Sequence, residues 1–204
     1  TGVSLQGQNL GALRFGYDAM VGNGIGSGDV VDNNPFKSVT LAMHIKPTDG
    51  MRLGASFYHD AISKGSIMHN HSGTIPVALA RINQDIMTGS VSYIDSIFSK
   101  KFELLVESSM VTNRSDSLGQ QRAVATYAYA GLRITDKIIP YVRVDDIRFM
   151  NQEVYFMPEN TQSFVGGLRY ELSYLAVLKL EYQHAKSPLH AITDKVTFQI
   201  AVGF

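Results

Sequence analysis

Lys195-Val196-Thr197-Phe198-Gln199-Ile200-Ala201-Val202-Gly203-Phe204 is the stretch from which the fold is read. Side chains on a β-strand point alternately to opposite faces, so residues two apart share a face. Val196, Phe198, Ile200, Val202 and Phe204 therefore form one wholly apolar face. Lys195, Thr197, Gln199, Ala201 and Gly203 form a polar or small one.

The same alternation recurs upstream in segments of about ten residues. Val3 and Leu5 open a first, short segment. Leu13, Phe15, Tyr17, Ala19 and Val21 oppose Arg14, Gly16 and Asp18 in a second. Val39, Leu41, Met43 and Ile45 define a third, and Leu53, Ala55 and Phe57 a fourth, joined through the turn-forming Pro47-Thr48-Asp49-Gly50. A weaker fifth runs around Met87 to Tyr93, and Phe102, Leu104 and Val106 oppose Glu103, Leu105 and Glu107 in a sixth. Arg122 to Ile134, Tyr141 to Asp145, Ser163 to Leu172 and Leu175 to His184 supply four more before the last. The expectation is about eleven strands.

Composition removes several classes of function. The chain has 204 residues, with 18 Lys+Arg against 18 Asp+Glu, which offers no basic footprint for nucleic acid. It has no Cys, so neither disulfides nor thiolate metal sites exist. No run approaches the roughly 18–20 apolar residues of a transmembrane helix.

The connections carry the next inference. Those near residues 7–9, 47–50, 96–100, 135–137 and 173–174 are short. Those near 22–36, 61–85, 113–121, 150–162 and 185–193 are long and polar. Short and long are thus expected to alternate without exception, as they do between the two ends of an outer-membrane barrel. The predicted fold is all-β, an antiparallel up-and-down transmembrane β-barrel spanning 1–204 as one domain. By the same alternation, at least one N-terminal strand is expected to be missing. The chain reads as the C-terminal portion of a barrel of roughly 12–18 strands, since single-chain bacterial barrels are even-numbered.

The apolar faces would then meet lipid and the opposite faces a lumen. The latter collect Arg14, Asp18, Lys46, Arg52, Glu103, Glu107, Arg133, Arg143, Asp145, Arg169, Glu171, Lys179, Glu181 and Lys195. Arg133, Arg143, Asp145, Arg169, Glu171, Lys179, Glu181 and Lys195 are the candidate pore-lining residues. Arg133, Arg143, Arg169 and Lys179 could form a basic ladder on successive strands, although Glu171 and Glu181 among them would neutralise much of it. Mixed signs fit either a weakly selective constriction or ion pairs that hold the wall. Phe102, Tyr170, Tyr174 and Phe204 toward the short turns, and Tyr17, Phe57 and Tyr182 toward the loops, are read as interfacial girdles.

Ile139 to Asp145, Phe164 to Leu172, Leu178 to His184 and Val202-Gly203-Phe204 resemble the C-terminal strands of Gram-negative porin-like proteins. They are most similar to the superfamily that contains the phosphate-selective porins, and Ser38 to Tyr58 resembles an earlier hairpin of it. An apolar final strand ending in Phe resembles the assembly signal of bacterial outer-membrane barrels. The resemblance covers about half the chain and implies a water-filled, often trimeric pore passing small solutes. It does not extend to anion selectivity.

Other features lead elsewhere. Ile75 to Ile82 is apolar enough for the 63–85 loop either to fold into the pore or to pack as an external loop. His69-Asn70-His71 supplies two imidazoles without a third ligand, so no metal site is expected. Gly22 to Gly28 lacks the Lys-Ser/Thr ending of a phosphate loop. His59, His184 and His190 lie near Ser63 and Ser187 in sequence, but no orienting constellation accompanies them, so no enzyme is expected. The expected function is passive diffusion of small hydrophilic solutes or ions across a bacterial outer membrane. No cofactor and no nucleic acid are expected, and lipid and a homotrimeric assembly are the partners. A plugged structural or adhesive barrel whose loops bind a partner is the alternative, and a soluble ligand-binding β-protein a third.

Overall fold

The computed structural model describes residues 2–24, 36–64, 80–97, 100–117, 119–150, 156, 159–188 and 192–203, with residues 96, 97 and 100 as backbone only. Eleven strands follow in order: β1 (Gly2–Leu10), β2 (Phe15–Gly22), β3 (Ser38–Ile45), β4 (Met51–Ile62), β5 (Ile82–Ile97), β6 (Lys100–Ser115), β7 (Gly119–Arg133), β8 (Ile138–Phe149), β9 (Thr161–Ser173), β10 (Ala176–Lys186) and β11 (Thr193–Val202). They form a single sheet in which spatial order equals chain order, each strand antiparallel to the next. The sheet is open: β1 and β11 are its edges.

Register sorts the faces. One cross-strand row runs Ile45, Leu53, Val91, Val106, Ala128, Val144, Phe164, from β3 to β9, without a polar residue. Ile45 is the last residue of β3, beside a short turn, whereas Phe164 lies near the start of β9, beside a long connection. The row therefore climbs from one end of the sheet to the other. This stagger is what tilted strands produce when a sheet wraps toward a barrel.

Burial is inverted relative to a soluble sheet. Val142, Leu168, Leu180 and Phe198 on the apolar face are 46%, 43%, 51% and 61% exposed. Glu103, Tyr129 and Tyr141 on the opposite face are only 7%, 7% and 6% exposed. The sheet curls toward its polar face, so that face is concave and its side chains converge. The convex face carries polar pairs near the long connections. There His59 and Arg114 meet Asp85, Gln162 meets Asp146, and His184 and Tyr182 meet Asp194.

Three expectations are corrected. Residues 113–121 are not a long loop: β6 and β7 continue to Ser115 and Gly119, leaving 116–118 as the connection. The alternation of short and long therefore fails there. Arg14 is not on the concave wall. It lies in the turn after β1 with φ 46 and pairs with Asp49 of the neighbouring turn at 2.5 Å, and Lys46 likewise follows the end of β3. Tyr17 lies beside the short turn at the start of β2, not toward the loops, and Phe57 is mid-strand. Phe102, Tyr170 and Tyr174 do lie at the short-turn end, and Tyr182 at the other. The weak fifth segment becomes a full strand, Ile82–Ile97. Residues 25–28 of the glycine-rich stretch, most of the 63–85 loop with His69 and His71, His190, and Phe204 lie outside the described residues.

Candidate functional site: the concave wall of strands β6 to β10

The densest chemistry lies where two glycines interrupt a row of large side chains. Glu103, Gly131, Tyr141, Gly167, Glu181 and Thr197 face one another across β6 to β11. Gly167 is bare because Tyr141 lies across it: an added Cβ would collide with the ring. The phenol thereby reaches the next strand and donates to Glu181 Oε1 at 2.5 Å. Tyr129 covers Gly131 in the same way and donates to Glu103 Oε2 at 3.1 Å. The two tyrosine rings pack at 5.1 Å between centroids.

The arginines interleave with the acids. Arg169 on β9 donates to Glu103 Oε1 on β6 at 2.7 Å. Those strands are three apart, about 14 Å across a flat sheet, so only converging side chains close the distance. Arg133 grips Glu171 with two parallel bonds of 2.8 and 3.0 Å, the bidentate geometry that makes arginine–carboxylate pairs strong. Arg169 also lies 3.1 Å from Glu171. Arg143 meets Asp145 at 3.1 Å and Glu181 at 3.5 Å, and its guanidinium lies 6.0 Å from the Tyr127 ring.

Of the predicted residues, the fold thus joins Arg133, Arg143, Asp145, Arg169, Glu171 and Glu181 in one network. The basic ladder does not form, because a carboxylate lies beside each of the three arginines. Lys179 and Lys195 share the concave face, but among the described residues neither makes an ion pair within 4.0 Å. Lys179 borders a small concavity with Gln199, Glu171 and Arg169. Glu103 and the two tyrosines were not among the predicted site residues. A glycine two residues from Tyr129 was visible, whereas the Tyr141–Gly167 pairing exists only in the register.

A second polar cluster closes the long-connection end of β4 to β6. Asp60, Gln84 and Asn113 are 0% exposed. Tyr58 donates to Asp60 at 3.0 Å and Gln84 to Asn113 at 3.0 Å. Among the described residues no group of three or more His, Cys, Asp or Glu could hold a metal ion. What the wall offers is hydrogen bonding and fixed charge, with signs balanced over short distances. No protein-family model matches the chain, and no curated protein matches it either.

Proposed function

We propose that these strands form the wall of a bacterial outer-membrane β-barrel through which small hydrophilic solutes or ions diffuse passively. The observation that carries the reading is the inversion of faces: the apolar face is the exposed convex one, and charge gathers on the concave one. In water such a convex surface would be a continuous apolar patch far larger than soluble monomers expose. In lipid it is the favourable arrangement.

Dimensions support it. From Phe164 to Leu172 the apolar face of β9 extends about 27 Å along the strand, or roughly 20 Å once tilted as barrel strands are. That approaches the roughly 25 Å apolar band of such barrels. An open edge exposes unpaired N–H and C=O groups that hydrocarbon cannot satisfy, so in lipid the free edges of β1 and β11 must be paired. Both are odd-numbered in an antiparallel series and run the same way. Antiparallel closure therefore takes an odd number of added strands. A trimer belongs to the reading through the family resemblance, and cross-linking in detergent tests it.

The plugged alternative is favoured by a specific observation, the mutual pairing of the concave arginines and carboxylates. Conductance separates the two. Reconstituted into a planar bilayer under a salt gradient, the protein is expected to give discrete current steps. A folded, heat-modifiable barrel without steps would move the assignment to the plugged form. A protein that stays monomeric in water without detergent would end the membrane reading.

A further inference from the structure

Glu103, Arg133, Arg143, Asp145, Arg169, Glu171 and Glu181 pair with one another, so the concave charges left for a solute are others. Arg52 on β4 and Glu107 on β6 are two of them. Neither makes an ion pair within 4.0 Å among the described residues, and Arg52 Nη2 instead lies 3.2 Å from His44 Nδ1. Both line one shallow concavity of about 540 Å³, together with Ser90, Ser92, Leu105 and Tyr127. That volume is within the range of small-ligand sites.

Their separation follows from the register. Arg52 opposes Ser92, which opposes Leu105; Ser90 opposes Glu107, which opposes Tyr127. Glu107 is thus two strands across and one same-face step along from Arg52, about 12 Å between Cα atoms. Arg52 Nη2 leans to His44 on β3, and both side chains border the space between β4 and β6. That space suits a small molecule carrying both charges. Leu105, 37% exposed, and the Tyr127 ring supply an apolar floor between them.

We propose that this concavity is a subsite for zwitterionic solutes of amino-acid or short-peptide size. The solute carboxylate meets the Arg52 guanidinium, its ammonium meets Glu107, and its apolar side group lies on Leu105 and Tyr127. Two charges of opposite sign, each lacking an ion-pair partner and facing one cavity, recognise a dipole where a single sign would recognise an ion. The inference rests on the pore reading, which supplies the route by which such a solute reaches the wall.

Liposome swelling tests it, with the protein reconstituted into phosphatidylcholine vesicles and leucine, N-acetyl-leucine, leucinamide and ribose as probes. Entry of leucine relative to ribose is expected to fall about threefold in Arg52→Gln and in Glu107→Gln, the scale of one exposed charge contact. Arg52→Gln should leave leucinamide, which has no carboxylate, unchanged. Glu107→Gln should leave N-acetyl-leucine, which has no ammonium, unchanged. Lys101→Gln removes the same charge as Arg52→Gln outside the concavity. If it lowers leucine entry equally, or if neither subsite variant changes the ratio, the inference is overturned. Failure of ribose itself to enter would instead overturn the pore reading, and this inference with it.

Discussion

Glu103 is 7% exposed and accepts hydrogen bonds from Tyr129 and Arg169 at once. Removing it strands a part-buried guanidinium, which is costlier than the pair is stabilising, because the remaining charge keeps its desolvation penalty. Glu103→Ala is therefore expected to lower stability by about 3 kcal/mol. Arg14→Ala breaks a pair whose side chains are 45% and 89% exposed and is expected to cost less than about 1 kcal/mol. Urea unfolding of the reconstituted protein checks both, and equal costs would refute the network. Gly167 is the second residue of this kind. A methyl group there drives into Tyr141, so Gly167→Ala is expected to cost about 1–3 kcal/mol as an overpacked contact. Pairing the change with Tyr141→Ala, which vacates the space, should recover part of that loss. No recovery would mean that the glycine is required for another reason.

At the scale of an element, β10 offers a direct test of which face meets lipid. Leu180 lies between Leu168 and Phe198 on the convex face, while on β11 Thr197 faces the concave side. An arginine on the lipid face of a barrel costs about 2–4 kcal/mol near the midplane. Leu180→Arg is expected to show that loss, and Thr197→Arg less than about 1 kcal/mol. A soluble sheet gives a different result, since Leu180, 51% exposed, would then tolerate arginine. Unfolding midpoints in vesicles compare the two. The strands also show where the pattern of residues stops being readable. From Asn113 to Gln121 the ends of β6 and β7 and the turn between them carry only Asn, Arg, Ser, Asp, Leu, Gly and Gln. With little apolar alternation they read as a loop, yet they pair residue by residue out to Ser115 and Gly119. Gly119, at φ 70, supplies the backbone conformation that brings the chain back so tightly. Asn113 on β6 then bonds to Gln84 on β5, an attraction that no hydrophobic period announces.

For the molecule as a whole, the open edges set the stability profile. β1 and β11 each have one neighbour, while β5, β6 and β7 are long and paired on both sides. Hydrogen exchange of this chain is expected to be slowest in β5 to β7 and fastest at the outer edges of β1 and β11. If additional strands close the barrel in lipid, those edge amides should become protected there as well. Edge amides that stay fast in a conducting, lipid-inserted state would refute closure by strand pairing.

The order of residues alone determined that the chain is a meander of about eleven strands with one apolar and one charged face. A period of two is a local property, set by each Cβ pointing opposite to its neighbours. Val196, Phe198 and Ile200 declare their face without reference to any other strand. Register, curvature and partnership were decided only in the tertiary structure. Sliding one strand past the next by two residues preserves every face, so alternation cannot choose among such registers. The choice determines whether Tyr141 meets Gly167 or a larger neighbour, and whether the arginines form a ladder or find carboxylates. It also separates Arg52 and Glu107 by two strands, leaving opposite charges on one wall without an ion-pair partner among the described residues.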